Sequence, residues 1–269
     1  MRRLSALFLG RTGLGRLFGI KIKIQGDKYI FNPTALCSLY WYDPNARTED
    51  YEFISAYLKE NDTYLDVGSN MGVTVIPGAR SVGNKGRVIA FEPHPKICSY
   101  LKENIALNNL NNVEVHNCAV GNENGFIYFT NKFTDDMNQV STSSENNIRV
   151  QIVLLDDVVK EQGDIALMKL DVEGYEKFVI EGAKETLKKA ACIYFEVSDN
   201  NFKDFGYKSS DIFRLLEQHG FKLFKRNGNN KELLPVDSQY KAPIEVYENI
   251  FGIKNTTDFQ NRIKWKILL

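Results

Sequence analysis

TYLDVGSNMG (residues 63–72), followed by RVIAFEP (87–93), is the stretch on which the fold turns. Its first segment runs apolar from Tyr64 to Val67 and breaks at Gly68, Ser69 and Asn70. MGVTVIPGARSV (71–82) then returns apolar residues at helical spacing. That pattern predicts a strand, a tight turn and a helix, with Pro77 bending or delaying the helix. RVIAFEP supplies a second buried strand, and PKICSYLKENIALNNL (95–110) an amphipathic helix with Ile97, Tyr100, Leu101, Ile105 and Leu107 available to a core. NNVEVHNCAV (111–120) reads as a third strand. Strands and helices alternating in this way require right-handed crossovers, hence a parallel sheet covered on both faces.

Working outward, YEFISAYLKE (51–60) predicts a helix leading into the first strand. Downstream the rhythm breaks: GFIYFT (125–130) and IRVQIVLL (148–155) read as strands around the polar run DDMNQVSTSSENN (135–147). We read an insertion at about 122–150, with a mobile loop near the sheet's carboxyl edge, where such loops bind or cover ligands. Alternation resumes with IALMKLDVEG (165–174), YEKFVIEGAKETLKKA (175–190) and ACIYFEV (191–197). SSDIFRLLEQHG (209–220) predicts a helix capped by Ser209 or Ser210 and ended by Gly220, and FKLFKR (221–226) and NIFGIK (249–254) are the last strands. The expected organisation is an N-terminal extension and possible lid over 1–50, then one doubly wound α/β domain over 51–269.

The apolar fraction of 43% and charged fraction of 25% in 269 residues are those of an ordinary soluble domain, which excludes disordered and fibrous classes. A formal net charge of zero lacks the long-range attraction of a nucleic-acid binder, so no nucleic-acid partner is expected. Cys37, Cys98, Cys118 and Cys192 lie far apart without CxxC pairing, which argues against a zinc knuckle or redox dithiol and for a reducing cytoplasm. No stretch approaches the roughly 20 apolar residues of a membrane span. From Met1 to Gly26 the chain carries Arg2, Arg3, Arg11, Arg16, Lys21 and Lys23 and no acid. Leu4, Leu7, Phe8, Leu14, Leu17 and Phe18 could line one helical face there, weakened by Gly10, Gly13, Gly15 and Gly19. Two readings stay open for this segment: a packed or frayed extension, or peripheral membrane contact or targeting. Oligomeric state is not legible.

The chemistry begins at the turn after the first strand, where glycine lets backbone approach a ligand at the strands' carboxyl ends. GxGxxG is missing, which counts against a dinucleotide and towards a smaller ligand with a carboxylate and an amine. Glu92, at the tip of the second strand and before Pro93, can accept both ribose hydroxyls, so an adenosyl or nucleoside ligand is expected.

Four blocks in order, YLDVGSNMG, VIAFEPHP, HNCAVGNENG, and LLDDVV followed by IALMKLDVEGYEKFVIEGA, resemble the FkbM methyltransferases over about residues 51–253. KLDVEG with its upstream LDD is the most specific block. Leu154, where the family commonly has threonine, and Ser69, where alanine is frequent, depart from the pattern without removing a charge. The resemblance implies a class I methyltransferase fold, a Rossmann-like, mostly parallel seven-stranded sheet with a reversed last strand. It further implies S-adenosyl-L-methionine as cofactor and O-methylation of a hydroxyl on a sugar, glycan or small metabolite.

Carried over residue by residue, the resemblance puts Asp66, Gly68, Ser69, Asn70 and Gly72 at the methionine part and Glu92 with Pro93 at the ribose. Ala119, with Asn117 and Cys118, falls at the adenine, and Asp171 and Glu173 beside the sulfonium methyl. Asp171, Glu173 and Glu196 are the candidate catalytic acids. A carboxylate favours a cationic donor and can take the acceptor's proton. Glu173 could instead be a helix-starting acid, and Asp156 and Asp157 could cap the helix DDVVKEQ or orient an acceptor. His94 could cover the nucleoside or take a proton; His116 and His219 read as structural. Trp41 and Tyr42 are lid or core aromatics. No motif demands a metal and none is assigned, although Asp171, Glu173 and Glu196 could be gathered around magnesium. The alternatives are N-methylation, a non-catalytic cofactor-binding member, and a Rossmann oxidoreductase.

Overall fold

The computed structural model describes every residue except 1–7, 10, 11, 133, 134, 229, 243–246 and 269, and at 136 the backbone alone. The expectations for Arg2, Arg3, Leu4, Leu7, Gly10 and Arg11 therefore lie outside the described residues. A hairpin, β1 (Lys21–Ile24) and β2 (Asp27–Ile30), precedes the main body. The body follows as β3 (Thr63–Val67), β4 (Arg87–Phe91), β5 (Val113–His116), β6 (Ala119–Gly121), β7 (Gly125–Phe129), β8 (Val140–Ser141) and β9 (Ile148–Leu154). It ends with β10 (Ile165–Leu170), β11 (Ala190–Val197), β12 (Lys222–Arg226), β13 (Glu232–Val236), β14 (Glu248–Ile253) and β15 (Lys266–Ile267).

The main sheet has nine strands in the order β15-β13-β12-β14-β11-β10-β3-β4-β5. β5, β4, β3, β10 and β11 are parallel, and β14 enters antiparallel between β11 and β12. Seven of the strands are those expected, and the seventh in chain order is the reversed one. The count rises to nine because β13 and β15 extend the edge beyond β12. Pro235 inside β13 disguised that strand in the sequence; proline is tolerated here near the sheet's margin. A second sheet, β6-β9-β7-β8, spans 119–154, past both bounds of the expected insertion, and takes β6 from the run 111–120 that was expected as one strand.

Burial on both faces explains the near-continuous apolar runs of β3 and β10. Alternate residues feed opposite cores. Leu65, Val67, Met168, Leu170, Ile193 and Phe195 meet the helices Leu155–Val159, Glu176–Glu181, Lys184–Lys189 and Ser209–Gln218. Tyr64, Leu167, Cys192 and Tyr194 meet Thr48–Tyr57, Val75–Val82, Pro95–Leu107 and Thr256–Ile263. Pro77 falls in the first turn of its helix, where its missing N–H is harmless. A third cluster joins Ile22, Tyr29, Phe31, Leu36 and Tyr40 to Met71, Ile76, Ile97 and Tyr100, so the described part of the first 50 residues rests on the body.

Two capping expectations are corrected. The helix Ser209–Gln218 is capped at Lys208, whose N–H donates to Asp211 at 2.9 Å, while the N–H of Ser209 donates to Asp199 at 2.7 Å. Asp156 does not cap its own helix: it accepts from the N–H groups of Glu185 at 2.9 Å and Thr186 at 2.8 Å, serving Lys184–Lys189 across 29 residues of chain. Asp157 accepts from Asn124 at 2.7 Å, and neither acid lines a cavity described below.

Candidate active site

The turn after β3 is forced by its neighbours. A Cβ on Gly68 would stand 1.8 Å from the carbonyl oxygen of Asp171, and its φ of 88° lies in the left-handed region, so only glycine lets the β3 and β10 tips approach. The N–H groups of Gly68 and Ser69 both donate to Phe91 O, at 3.0 and 2.9 Å, pinning the turn to β4. Asn70, at φ 45°, aims its own N–H at Glu92 Oε2, 2.9 Å away. The other Glu92 oxygen accepts from His94 N–H at 2.8 Å. Burial pushes the Glu92 carboxyl up to about 8 against the lowering effect of those two amides. Each of its oxygens keeps a lone pair for a further donor.

These tips line a space of about 1110 Å³ that includes open solvent at its mouth. Gly68, Ser69, Asn70, Glu92, Pro93, Cys118, Ala119, Asp171 and Glu173 all line it. Asp66, Gly72 and Asn117 do not. Asp66 is buried behind the wall, where Oδ2 accepts from Tyr64 at 2.7 Å and Thr74 at 2.6 Å and Oδ1 has no hydrogen bond. Gly72 is held against Leu101, and Asn117 ties the carbonyls of Glu92 and Pro93 at 2.8 and 3.0 Å. His94 is occupied as a cap: Nδ1 accepts from Lys96 N–H at 3.2 Å and Nε2 meets Asn131 at 3.0 Å. Trp41 packs edge-on against Phe31, and the roof comes instead from Ile24, Gln25, Leu36, Tyr40, Ala46 and Arg47. The insertion contributes Phe129, Asp135, Asn138 and Val140, with Leu36 N–H donating to Asp135 at 3.1 Å.

A second cavity of about 700 Å³, lined largely by polar groups, adjoins the first. The two share Arg47, Asp50, Lys169 and Asp171; Glu196 lines only the second. One oxygen from each of Asp171, Glu173 and Glu196 lies within 4.8 Å of the other two. Glu196 is consequently raised well above the ordinary range, first by burial and then by repulsion from Asp171, Glu173 and Glu176. Glu173 is not a helix starter: it sits at φ 51° and accepts from Asn201 at 3.0 Å. Glu176, the first residue of the helix, accepts from the N–H of Val172 in the loop ahead of it at 3.1 Å, and burial pushes its carboxyl up to about 7.

Lys169 was missed, although it stands inside the quoted KLDVEG block. It is 4% exposed and donates to Asp171 Oδ2 at 3.0 Å. Burial disfavours its charge, yet Asp171, Asp66 and Asp50 outweigh that and hold it above its ordinary value. Asp50 was missed too; it accepts from Tyr194 Oη at 2.6 Å, and burial raises it against the pull of Lys169. A lysine at the same parity as Asp171 was the available signal; its partner on the helix Thr48–Tyr57 left no mark in the sequence.

The sheet order, the glycine turn after its first strand and the acid at the tip of the second define the chain as a class I S-adenosylmethionine-dependent methyltransferase. Within that class it belongs to the FkbM methyltransferases, whose domain matches residues 66–223. It is similar to the 2-O-methyltransferase NoeI of Sinorhizobium fredii, 30% identical over 171 residues that cover 55% of this chain and 68% of that protein. Methyltransferase 1 of Beauveria bassiana is 26% identical over 147 residues, 45% of this chain and 59% of that one. Among solved structures, an S-adenosylmethionine-dependent O-methyltransferase of Thermotoga maritima superposes with a TM-score of 0.46 at 18% identity, covering 88% of this chain and 77% of that one. No helix of the described residues is long and apolar enough to cross a membrane.

Proposed function

We propose that this methyltransferase transfers a methyl group to a hydroxyl oxygen on a sugar, glycan or small metabolite. One observation carries the reading: the cavity at the strand tips, lined by Glu92, and a second cavity share Lys169 and Asp171, and Glu196 lines the second alone. The larger cavity fits S-adenosyl-L-methionine, since Glu92 can accept from two ribose hydroxyls while keeping its amide partners. Gly68, Ser69 and Asn70 would hold the methionine part, with Asp66 and Gly72 supporting the turn from behind. Cys118 and Ala119 would meet the adenine and Pro93 the ribose, Asn117 fixing that corner. Bound there, the cofactor would supply a methyl group activated by its sulfonium, for transfer to the acceptor oxygen.

The chain's own residues then have three tasks. Asp171 and Glu173 present negative charge to the positive end of the donor. The roof from residues 24–47, within the extension we assign to 1–50, excludes water. Glu196 in its ionised form, which the donor's positive charge favours, takes the hydroxyl proton: burial and like charge make that carboxylate a stronger base than an exposed one. Similarity to the 2-O-methyltransferase of Sinorhizobium fredii supports an oxygen acceptor. Four buried, unpaired cysteines fit a reducing cytoplasm, where we place the reaction.

The test is incubation with methyl-labelled donor and a lysate fractionated into glycans, lipids and small metabolites. Label should appear as an O-methyl ether, and Glu196→Gln should lower kcat by about 10²–10⁴ while donor affinity changes little. Label on nitrogen, or a variant within a few-fold of wild type, would overturn the assignment. Donor binding without transfer to any fraction would point to a non-catalytic member.

A further inference from the structure

The hairpin of β1 and β2 buries Ile22, Ile24 and Tyr29 on one face and exposes Lys21, Lys23 and Lys28 on the other. Lys23 stands directly opposite Lys28 in the register. Like charges across an antiparallel pair destabilise it, so this face carries a cost the fold does not require. None of the three lysines has an acidic partner among the described residues; the neighbouring acids Asp27 and Glu103 are taken by Arg80 and Arg16.

Immediately ahead in the chain, the helical turn Leu14–Leu17 is clamped to the body. Gly15 lies so close to Phe31 that a Cβ would be 2.2 Å from its ring, and Arg16 grips Glu103 through two bonds of 2.8 and 2.7 Å. The clamp turns the next two side chains outward: Leu17 is 76% and Phe18 72% exposed, with Phe8 nearby in sequence at 59%. Large apolar groups are thus held in water, within a few residues of exposed Lys21 in the chain, rather than folded onto the core.

We propose that this surface docks the protein on an anionic membrane, Leu17 and Phe18 entering the interface and Lys21, Lys23 and Lys28 meeting the headgroups. Charge complementarity selects this occupant. A second copy of the same face would set lysine against lysine. A nucleic acid would match the lysines but offer no apolar phase to two large hydrophobic side chains. Ile24 and Gln25, at the hairpin tip, line the donor cavity, so a docked protein would hold that cavity beside the bilayer. The proposal does not depend on which atom is methylated.

Flotation of the full chain with vesicles tests it. The protein should float with phosphatidylcholine vesicles containing about one part in three phosphatidylserine, remain behind with phosphatidylcholine alone, and be released by high salt. Lys21→Glu with Lys23→Glu should cut partition by about 25-fold or more, taking roughly five-fold per lysine. Leu17→Ser with Phe18→Ser should cut it about ten-fold, with S-adenosylmethionine affinity unchanged in both variants and melting temperature lowered in neither. Failure to float with anionic vesicles would overturn the proposal. So would a dimer in light scattering that disappears in the Leu17→Ser, Phe18→Ser variant, or tighter binding of poly(U) RNA than of vesicles at equal salt.

Discussion

Replacing Lys169 by methionine removes one positive charge from the junction of the two cavities and leaves Asp50, Asp66 and Asp171 facing one another. At 3.0 Å and an effective dielectric near 20, the attraction of Lys169 for Asp171 alone is about 5–6 kcal/mol, before the cost of burying the ammonium. Deleting one partner of such a buried pair costs about 3–5 kcal/mol. For a domain of this size that lowers the melting temperature by roughly 6–20 °C. The sharper consequence concerns ligands. The donor carries a sulfonium charge and the product a neutral thioether. Lys169 repels the first and is indifferent to the second, so its loss should shift affinity towards the donor. Water at the cavity mouth screens that repulsion, and about a ten-fold change in the ratio of dissociation constants is expected. Calorimetry with S-adenosylmethionine and S-adenosylhomocysteine, on wild type, Lys169→Met and Lys169→Arg, measures that ratio without any acceptor. Arginine keeps the charge and should keep the ratio. A Lys169→Met ratio within about two-fold of wild type would refute the electrostatic reasoning, whatever the variant's stability.

Glu92 supplies a pH test. Its carboxyl is pushed from 4.5 up to about 8 by burial, so the unliganded fold binds a proton there that the unfolded chain releases, and this contribution to stability is lost as pH rises from about 4.5 through 8. Ribose hydroxyls donating to Glu92 favour its ionised form; donor binding at neutral pH should release a proton and tighten as pH rises, an effect absent in Glu92→Gln. Heats of binding that do not vary with the buffer's ionisation enthalpy would contradict it. Gly68→Ala places a Cβ 1.8 Å from a backbone oxygen at a φ of 88°, and should cost more than about 4 kcal/mol; a melting temperature near that of wild type would mean the β3 and β10 tips can part. Asp156→Ala should lose about 1–2 kcal/mol by uncapping Lys184–Lys189 and leave donor affinity intact; weakened donor binding would tie Asp156 to the site.

The parallel core was legible because each of its strands is a short apolar run closed by turn residues, and its covering helices carry their own period. β13 was not, since Pro235 and alternating burial at an edge look like loop. Helix starts misled for a related reason. Asp156 satisfies amides far along the chain and Lys208 borrows the carboxylate of Asp211, so capping chemistry was visible but its address was not. Residues at the turn after β3 were legible to the same extent: the turn pattern marked Gly68, the strand tip marked Glu92 and the family resemblance marked Asn70, whereas the displacement of Asp66, Gly72 and Asn117 behind the wall depends on which way each strand end faces.

Register explains why the most consequential side chain stayed hidden. Asp66, Lys169 and Tyr194 occupy one row across β3, β10 and β11, so all three project from the same face at the same height. The helix Thr48–Tyr57 lies over that face and lowers Asp50 onto Tyr194. Each residue alone has an ordinary reading: an acid before a glycine, a lysine in a strand, a tyrosine in a core. Placed in one row they form an alternating set of charges and a hydroxyl that reaches Asp171. The fold needs parallel pairing of β3, β10 and β11 to bury their apolar runs, and that same pairing brings a compensated negative cluster to the junction of the two cavities. Shifting β10 by one residue would exchange Lys169 for Met168 and point the lysine into the opposite, wholly apolar core, so the alignment that closes the sheet is also the one that sets the charge of the site.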